Sequence, residues 1–409
     1  MTTAMIRRPT VLLLNAAHAL DHMFLLIFAT AVVAIAADFG LPDWESLMPY
    51  GVGAFMLFGI GALPAGRLGD LWGRRRMMLV FYFGMAASSL LVAVTQTPWQ
   101  LALALTVMGA FSSIYHPVGI PMLLRGATRP GLTIGFSGLA GNLGVAFAAI
   151  TTGFLVKYVG WRAAFAVPAV VAVACGIAFA RVAPAESEPP ARRAATEATH
   201  AKGTLTRIFL VMTIAAISAS LLFNLTTNGN GQLLRERFAG ITTDPALLGV
   251  LLAGVYVAAA FAQVAVGLLI DRFPLKALYL GIVFLQAPLF VAAAWASGWT
   301  LYVLQIAFMV AVFGAIPFTD AIIVRFVDDR MRSRVSGMRF AVSFGVSSAA
   351  VWGLGPIVKS SGFDTLLLMM AGIAAVTLLA VMALPPVARR PTVGPLTDAT
   401  PPRSPRAAD

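Results

Sequence analysis

Charge is what this chain has least of. Only 11% of its 409 residues are Asp, Glu, Lys or Arg, against about 25% in ordinary soluble domains, which excludes a water-soluble globular fold. Cysteine occurs once, as Cys175, so no disulfide can form within the chain; lying in an apolar run, it reads as a small core residue. A phosphate-binding loop of the Walker type is missing, which argues against direct drive by ATP. No nucleophile turn of the G-x-S-x-G kind stands in a fitting context, which weakens an enzymatic reading. The alternating polarity of a membrane barrel is missing as well.

What the chain has instead is apolar length. Hydrophobic residues make up 59%, and a spanning helix needs roughly 20 of them in a row. Twelve such runs lie near 10–37, 47–66, 77–95, 98–124, 132–157, 162–182, 207–229, 246–270, 276–296, 299–324, 335–358 and 364–384. Gly and Pro inside several of them are compatible with membrane helices, where neighbours re-satisfy the backbone. The first run is too long for a signal peptide and no small-residue cleavage site comes after it, so it reads as retained.

The chain also repeats itself. Residues 153–165, GFLVKYVGWRAAF, return as GPIVKSSGFDTLL at 355–367. Gly153, Val156, Lys157 and Gly160 recur as Gly355, Val358, Lys359 and Gly362 at one offset, and Asp70 with Asp271, Arg125 with Arg325 and Pro117 with Pro317 fall near the same spacing. Parallel duplicated halves are an architecture of secondary transporters. The expected fold is therefore an all-α membrane protein with twelve transmembrane helices in two duplicated six-helix halves. The halves are 1–182 and 207–384, joined by a polar linker at 183–206 and followed by a disordered tail at 385–409, rich in Pro, Arg and Thr.

Basic residues fix the orientation. With both termini in the cytoplasm, 24 of the 29 Lys and Arg fall on the cytoplasmic side, leaving only Lys157, Arg162, Arg235, Arg237 and Lys359 outside. The formal charge of +12 is thus a topology signal. Spread over short loops, it gives little support to a nucleic-acid partner.

Polar residues inside the apolar runs are costly in lipid and mark cavities or partners. Asn15, His18, Asp21 and His22 lie in the first span, and steps of three and four put Asn15, His18 and His22 on one face with Asp21 adjoining. Ser112, Ser113, Tyr115 and His116, followed by Pro117, lie in the fourth; Asn224, Thr227 and Asn228 in the seventh; Asp320 in the tenth; Arg339 in the eleventh. A carboxyl group beside imidazoles that titrate near 6.5 makes Asp21, His18 and His22 candidate proton-coupling groups, with Asp320 next in line. An Asp–His contact that only orients the first span is the structural alternative. Two histidines at i, i+4 can share a metal ion, but no sulfur or carboxylate shell accompanies them, and neither metal nor cofactor is expected. His116, Tyr115, Asn224 and Asn228 are candidate substrate contacts. Arg339 reads first as a partner of Asp320 and second as a ligand for an anionic substrate. Small residues at Gly135, Gly138, Gly141 and Gly144 suit close helix packing.

The turn between spans 2 and 3 reads Gly66-Arg67-Leu68-Gly69-Asp70-Leu71-Trp72-Gly73-Arg74-Arg75-Arg76, and a degenerate copy between spans 8 and 9 holds Gly267, Asp271, Arg272 and Lys276. This loop closely resembles the signature loop of the major facilitator superfamily, and the copy resembles its echo. Gly160-Trp161-Arg162, opening span 6, is similar to that family too. The resemblance covers the whole chain and implies that spans 1, 4, 7 and 10 line a central cavity, where most of the ionisable residues above fall. It also implies a multi-pass protein of a bacterial inner (plasma) membrane. Gly66, Asp70, Gly73, Arg74, Asp271 and Arg272 then become gate residues, with Asp70 accepting from Arg74, Arg75 or a helix end in the other half. Within the family, His18-x-x-Asp21 and Ser112-Ser113-Ile114-Tyr115-His116-Pro117 resemble the fosmidomycin-resistance group of drug exporters, with Val118 where that group often has an acidic residue.

The leading expectation is a monomeric secondary transporter that exports a small organic molecule in exchange for protons. Proton-driven uptake of a small organic anion is the alternative. A membrane enzyme using Asp21 and His18 lacks a nucleophile or metal shell, and a sensor lacks a signalling domain.

Overall fold

The computed structural model describes residues 8–125, 127, 130–184, 203–270, 272–326 and 329–384. Among them every regular element is a helix. The first span is α1 (Arg8–Asp38). The second is α2 (Val52–Ile60) and α3 (Ala62–Trp72), bent by 43° where they meet. Then come α4 (Arg74–Ala93) and α5 (Pro98–Ser112). α5 continues through a π turn (Tyr115–Gly119) into α6 (Ile120–Leu124). α7 (Pro130–Tyr158) and α8 (Trp161–Val182) complete the first half. The second half is α9 (Gly203–Arg237), α10 (Pro245–Ile270), α11 (Leu275–Ala294), α12 (Gly298–Phe326) and α13 (Asp329–Met382).

Ten of these helical segments are long and apolar enough to cross a membrane, and the bent pair makes eleven. The twelfth is inside α13. At 54 residues a single helix would run about 80 Å, far beyond a bilayer core of about 30 Å. Gly362, at φ 76° and ψ 171°, breaks it into two spans; only glycine adopts that conformation without cost. The protein is thus an all-α membrane protein of twelve spans in two duplicated halves.

The turns reflect local sequence. Gly73 leaves α3 at φ 97° and starts α4 directly. Thr97 accepts from the backbone N–H of Gln100, and Pro98 occupies the first turn of α5, a start signal of the usual kind. Between the halves, α7 packs on α10, and α2 and the preceding turn pack on α13.

Candidate functional site

The site is built where α1 meets the break in the fourth span. Pro117 has no N–H to donate and its ring crowds the preceding turn, so the ladder widens into the π turn Tyr115–Gly119. That widening brings Tyr115 and His116 together against α1. The His18 ring stacks on Tyr115 at 4.6 Å between centroids, and lies 4.8 Å from His22 and 5.1 Å from His116. His22 and His116 are 5.8 Å apart.

Asp21 is fully buried. Its Oδ1 accepts a hydrogen bond from the Ser112 hydroxyl. Its Oδ2 has no hydrogen-bond partner among the described residues and lies 3.6 Å from His116 Nε2, within ion-pair range. A second chain of polar groups runs behind it. His18 Nδ1 is 3.0 Å from the Ser137 hydroxyl on α7, which is 3.3 Å from the Tyr115 hydroxyl. An ionised carboxylate this deep in an apolar interior is costly unless a cation or proton neutralises it. Among the described residues, the side chains around Asp21 that can do so are imidazoles.

Close approach of α7 to α1 makes this packing possible. A Cβ on Gly144 would stand 2.1 Å from the carbonyl oxygen of Ala19, and one on Gly141 would stand 2.6 Å from His18 Nε2. Two of the four glycines expected to permit close packing therefore do so against α1, whereas Gly135 has open space. The same geometry bears on metal binding. His18, His22 and His116 have ligand atoms within 4.8 Å of one another, so the structure supplies a third imidazole that the i, i+4 pair alone lacked. Yet His18 offers one nitrogen to Ser137 and presses the other against Gly141. An ion here would have to pull His18 off α7.

The signature-loop helix leans on this same π turn. A Cβ on Gly66 would lie 3.2 Å from Cβ of Pro117, and one on Gly69 would lie 2.8 Å from a methyl group of Val118. Val118 thus fills a contact with the loop helix, and an acidic side chain there would be buried against glycine. Arg74 donates to the carbonyl of Pro121 at 3.3 Å and lies 4.0 Å from Asp70, which is 46% exposed. Arg75 instead caps the end of α8, donating to the carbonyls of Ala183 (2.9 Å) and Ala180 (2.5 Å). Of the partners expected for Asp70, the structure places only Arg74 beside it among the described residues. Gly73 and Arg272 lie in their turns; Asp271 lies outside the described residues.

The candidates of the second half are not joined to this cluster by any hydrogen bond or ring contact among the described residues. Asn224 donates to the Ser220 carbonyl (2.9 Å) and to the Ser347 hydroxyl (2.8 Å). Asn228 donates to the Asn224 carbonyl at 3.0 Å, while its Oδ1 is buried without a partner among the described residues. Tyr115, read from sequence as a substrate contact, is wholly buried with its hydroxyl against Ser137, so in this conformation it walls the histidine cluster. Asp320 lies on α12 and Arg339 on α13, with side chains outside the described set. Sequence reasoning missed Ser137, whose only signal was a hydroxyl amid the glycine row. It also missed Gln232, whose amide donates to the Ala29 carbonyl across the halves.

A family model described as Major Facilitator Superfamily matches residues 14–238. The chain is 28% identical over 176 residues to a protein of Streptomyces coelicolor described as "Probable actinorhodin transporter", covering 41% of this chain and 29% of that one. It is 30% identical over 147 residues to a puromycin resistance protein of Streptomyces alboniger, covering 35% and 29%. It is 27% identical over 205 residues to an efflux pump of Aspergillus terreus, covering 48% and 38%. The match spans well under half the length of each of these relatives. Among solved structures, a bacterial homolog to the human lysosomal transporter Spinster, in an inward-facing and unoccupied conformation, superposes with a TM-score of 0.70 at 14% identity. That likeness covers 92% of this chain and 97% of the other, and at such identity it concerns the fold.

Proposed function

Because the chain belongs to the Major Facilitator Superfamily, a family of transporters, we propose that it exports a small organic molecule in exchange for protons by alternating access. The observation that carries the coupling is Asp21: a fully buried carboxylate with one oxygen held by Ser112 and the other without a hydrogen-bond partner among the described residues, 3.6 Å from His116. A proton on Asp21 or His116 changes the charge of a site whose carboxylate is fully buried and whose imidazole is partly open. Bound substrate that competes with that proton would be released as the proton arrives, which is antiport.

Several features support the remainder of this reading. The relatives named for resistance and efflux favour export over uptake. Gly66 and Gly69 seat the loop helix on residues adjoining His116, so a shift of the π turn on protonation would move the gate helix with it. His116, 16% exposed on its side chain, is the member of the cluster best placed to meet a substrate, with Tyr115 behind it and Asn224 and Asn228 completing the contact when the halves close. The His18–Asp21 and Ser112–Pro117 pattern favours the fosmidomycin-resistance-like group. The protein would act as a monomer in a bacterial inner membrane, with both termini and the 183–206 linker in the cytoplasm.

The test is transport in proteoliposomes. Inverted vesicles energised with an acidic interior should accumulate a compound such as puromycin or actinorhodin, for which relatives are named, and a protonophore should abolish the accumulation. Accumulation that survives collapse of the proton gradient would overturn proton coupling.

A further inference from the structure

The repeated segment that marks the duplication also holds the two halves together, at the end of the molecule opposite the signature loop. Lys157, on the last turn of α7, donates to Asp244 Oδ2 in the second half. Lys359, its counterpart in the repeat, donates to Asp43 Oδ2 in the first half at 2.8 Å and to the Ser46 hydroxyl at 3.0 Å. The acids are held alike. Asp43 Oδ1 accepts from the backbone N–H of Ser46 at 2.8 Å, and Asp244 Oδ1 accepts from the backbone N–H groups of Ala246 (2.8 Å) and Leu247 (3.2 Å). In each case one carboxylate oxygen is fixed by local backbone and the other reaches across to a lysine.

The glycines of the repeat obey the same symmetry. A Cβ on Gly153 would stand 2.5 Å from the Pro245 carbonyl oxygen, and one on Gly355 would stand 2.2 Å from the Glu45 carbonyl oxygen. Both contacts cross between halves, and both lie one turn from the paired lysine. Trp44 stacks on Phe363 at 6.2 Å beside one lock, and the Gln232 amide bonds the Ala29 carbonyl deeper in.

We propose that the duplicated G-x-x-V-K-x-x-G segment is a two-fold clasp. Lys157–Asp244 and Lys359–Asp43, seated by Gly153 and Gly355, close the end remote from the signature loop and must both part when the transporter opens there. This rests on the alternating-access reading, but its test needs neither substrate nor protons. One pair alone would leave the other side of the interface free to gape; two pairs related by the internal symmetry close it evenly. Each pair is solvent-exposed and individually weak, which suits a contact that must break in every cycle.

The experiment places a probe behind the clasp. In the full chain with Cys175→Ala, Ala29→Cys puts a thiol at a buried position beneath Gln232, where a membrane-impermeant maleimide reaches it only if the remote end opens. Asp43→Lys should speed labelling about two- to fivefold, the shift expected for loss of one exposed pair, and Lys157→Asp should do the same. The swaps Asp43→Lys with Lys359→Asp, and Lys157→Asp with Asp244→Lys, should bring labelling back toward the parent rate, short of it only by the backbone bonds that a lysine at 43 or 244 does not accept. Unchanged labelling in both single variants would overturn the clasp, as would acceleration that neither swap reverses. Should Asp43→Lys not fold, Asp43→Asn gives the milder form of the same test. Proton-uncoupled transport with normal clasp behaviour would overturn the antiport reading alone.

Discussion

Arg162, at the start of α8, donates to Asp38 at the end of α1 at 2.8 Å. In the second half the corresponding helix ends carry the reverse charges, with Asp364 accepting from Arg237 at 3.3 Å. Together with the clasp lysines, four of the five basic residues on that face are in ion pairs, in symmetric positions. The interiors are not symmetric. The first half buries Asp21 among three histidines, while the described interior of the second holds amides (Asn224, Asn228, Asn230 and Gln305) and hydroxyls (Thr226, Thr227 and Ser347). A duplicated scaffold can keep its edges alike, because both copies face the same bilayer and each other. Its two interiors are free to diverge; on the antiport reading the first half would take protons, while the described groups of the second supply neutral hydrogen-bonding partners.

The strongest way to break that contrast is to neutralise the charged half. Asp21→Asn keeps the volume and the Ser112 contact but removes the ionisable oxygen. Transport driven by a pH gradient should be abolished, while exchange of labelled for unlabelled substrate, which moves no net proton, should persist. Replacing Asn228 by Asp in the other half should not restore coupling. Uphill transport by the Asp21→Asn protein would mean that the asymmetry of the interiors has nothing to do with energy coupling.

A somewhat smaller effect is expected at the loop. Asp70 is half exposed, and its ion partner here is Arg74 at 4.0 Å, so Asp70→Asn should leave folding and insertion intact. Transport should fall about tenfold, the scale of one lost charge-assisted bond in the state that closes this end. A normal rate would remove Asp70 from the gate and leave Gly66 and Gly69 as purely packing residues.

Much of this architecture is legible in the residues alone. Twelve apolar runs, the offset repeat and the loop lead to the twelve-span fold, because span length and composition are imposed by the bilayer rather than by long-range contacts. Periodicity likewise places His18 and His22 on one face of α1. The contribution of His116 to that cluster is not legible, since it depends on a π turn that widens the ladder by one residue and rotates the side chains beyond it. Ser137 is hidden for a similar reason: its proximity to His18 arises from Gly141 and Gly144 letting α7 approach α1. The clasp is half legible. The lysines announce themselves by repeating, but Asp43 and Asp244 lie in turns whose spacing to them carries no pattern.

His116 sharpens the comparison from the substrate side. If it meets substrate while Asp21 carries the proton, His116→Ala should weaken substrate affinity by about two- to tenfold, the value of one hydrogen bond. Asn224→Ala in the neutral half should cost less, since its amide is already committed to Ser220 and Ser347. Titration calorimetry on purified protein measures both. Unchanged affinity in His116→Ala would move the substrate away from the fourth span.

The smallest effect is expected where the halves are most alike. The Lys359 ammonium and the Ser46 groups hold the Asp43 carboxyl down to about 2. A carboxyl depressed in the folded state contributes stability above its ordinary value near 3.9 and loses it only as pH falls toward 2. Lys157 likewise lowers Asp244. The clasp is therefore fully ionised throughout the range in which imidazoles titrate. Between pH 8 and pH 5, maleimide labelling at Ala29→Cys, corrected for the reagent's own thiol dependence, should stay flat in the Asp21→Asn background. In the parent it should change, because on the antiport reading the Asp21 site takes up protons there. A pH response that persists after Asp21→Asn would move the sensor off this carboxyl and onto another titrating group, the histidines beside it first among them.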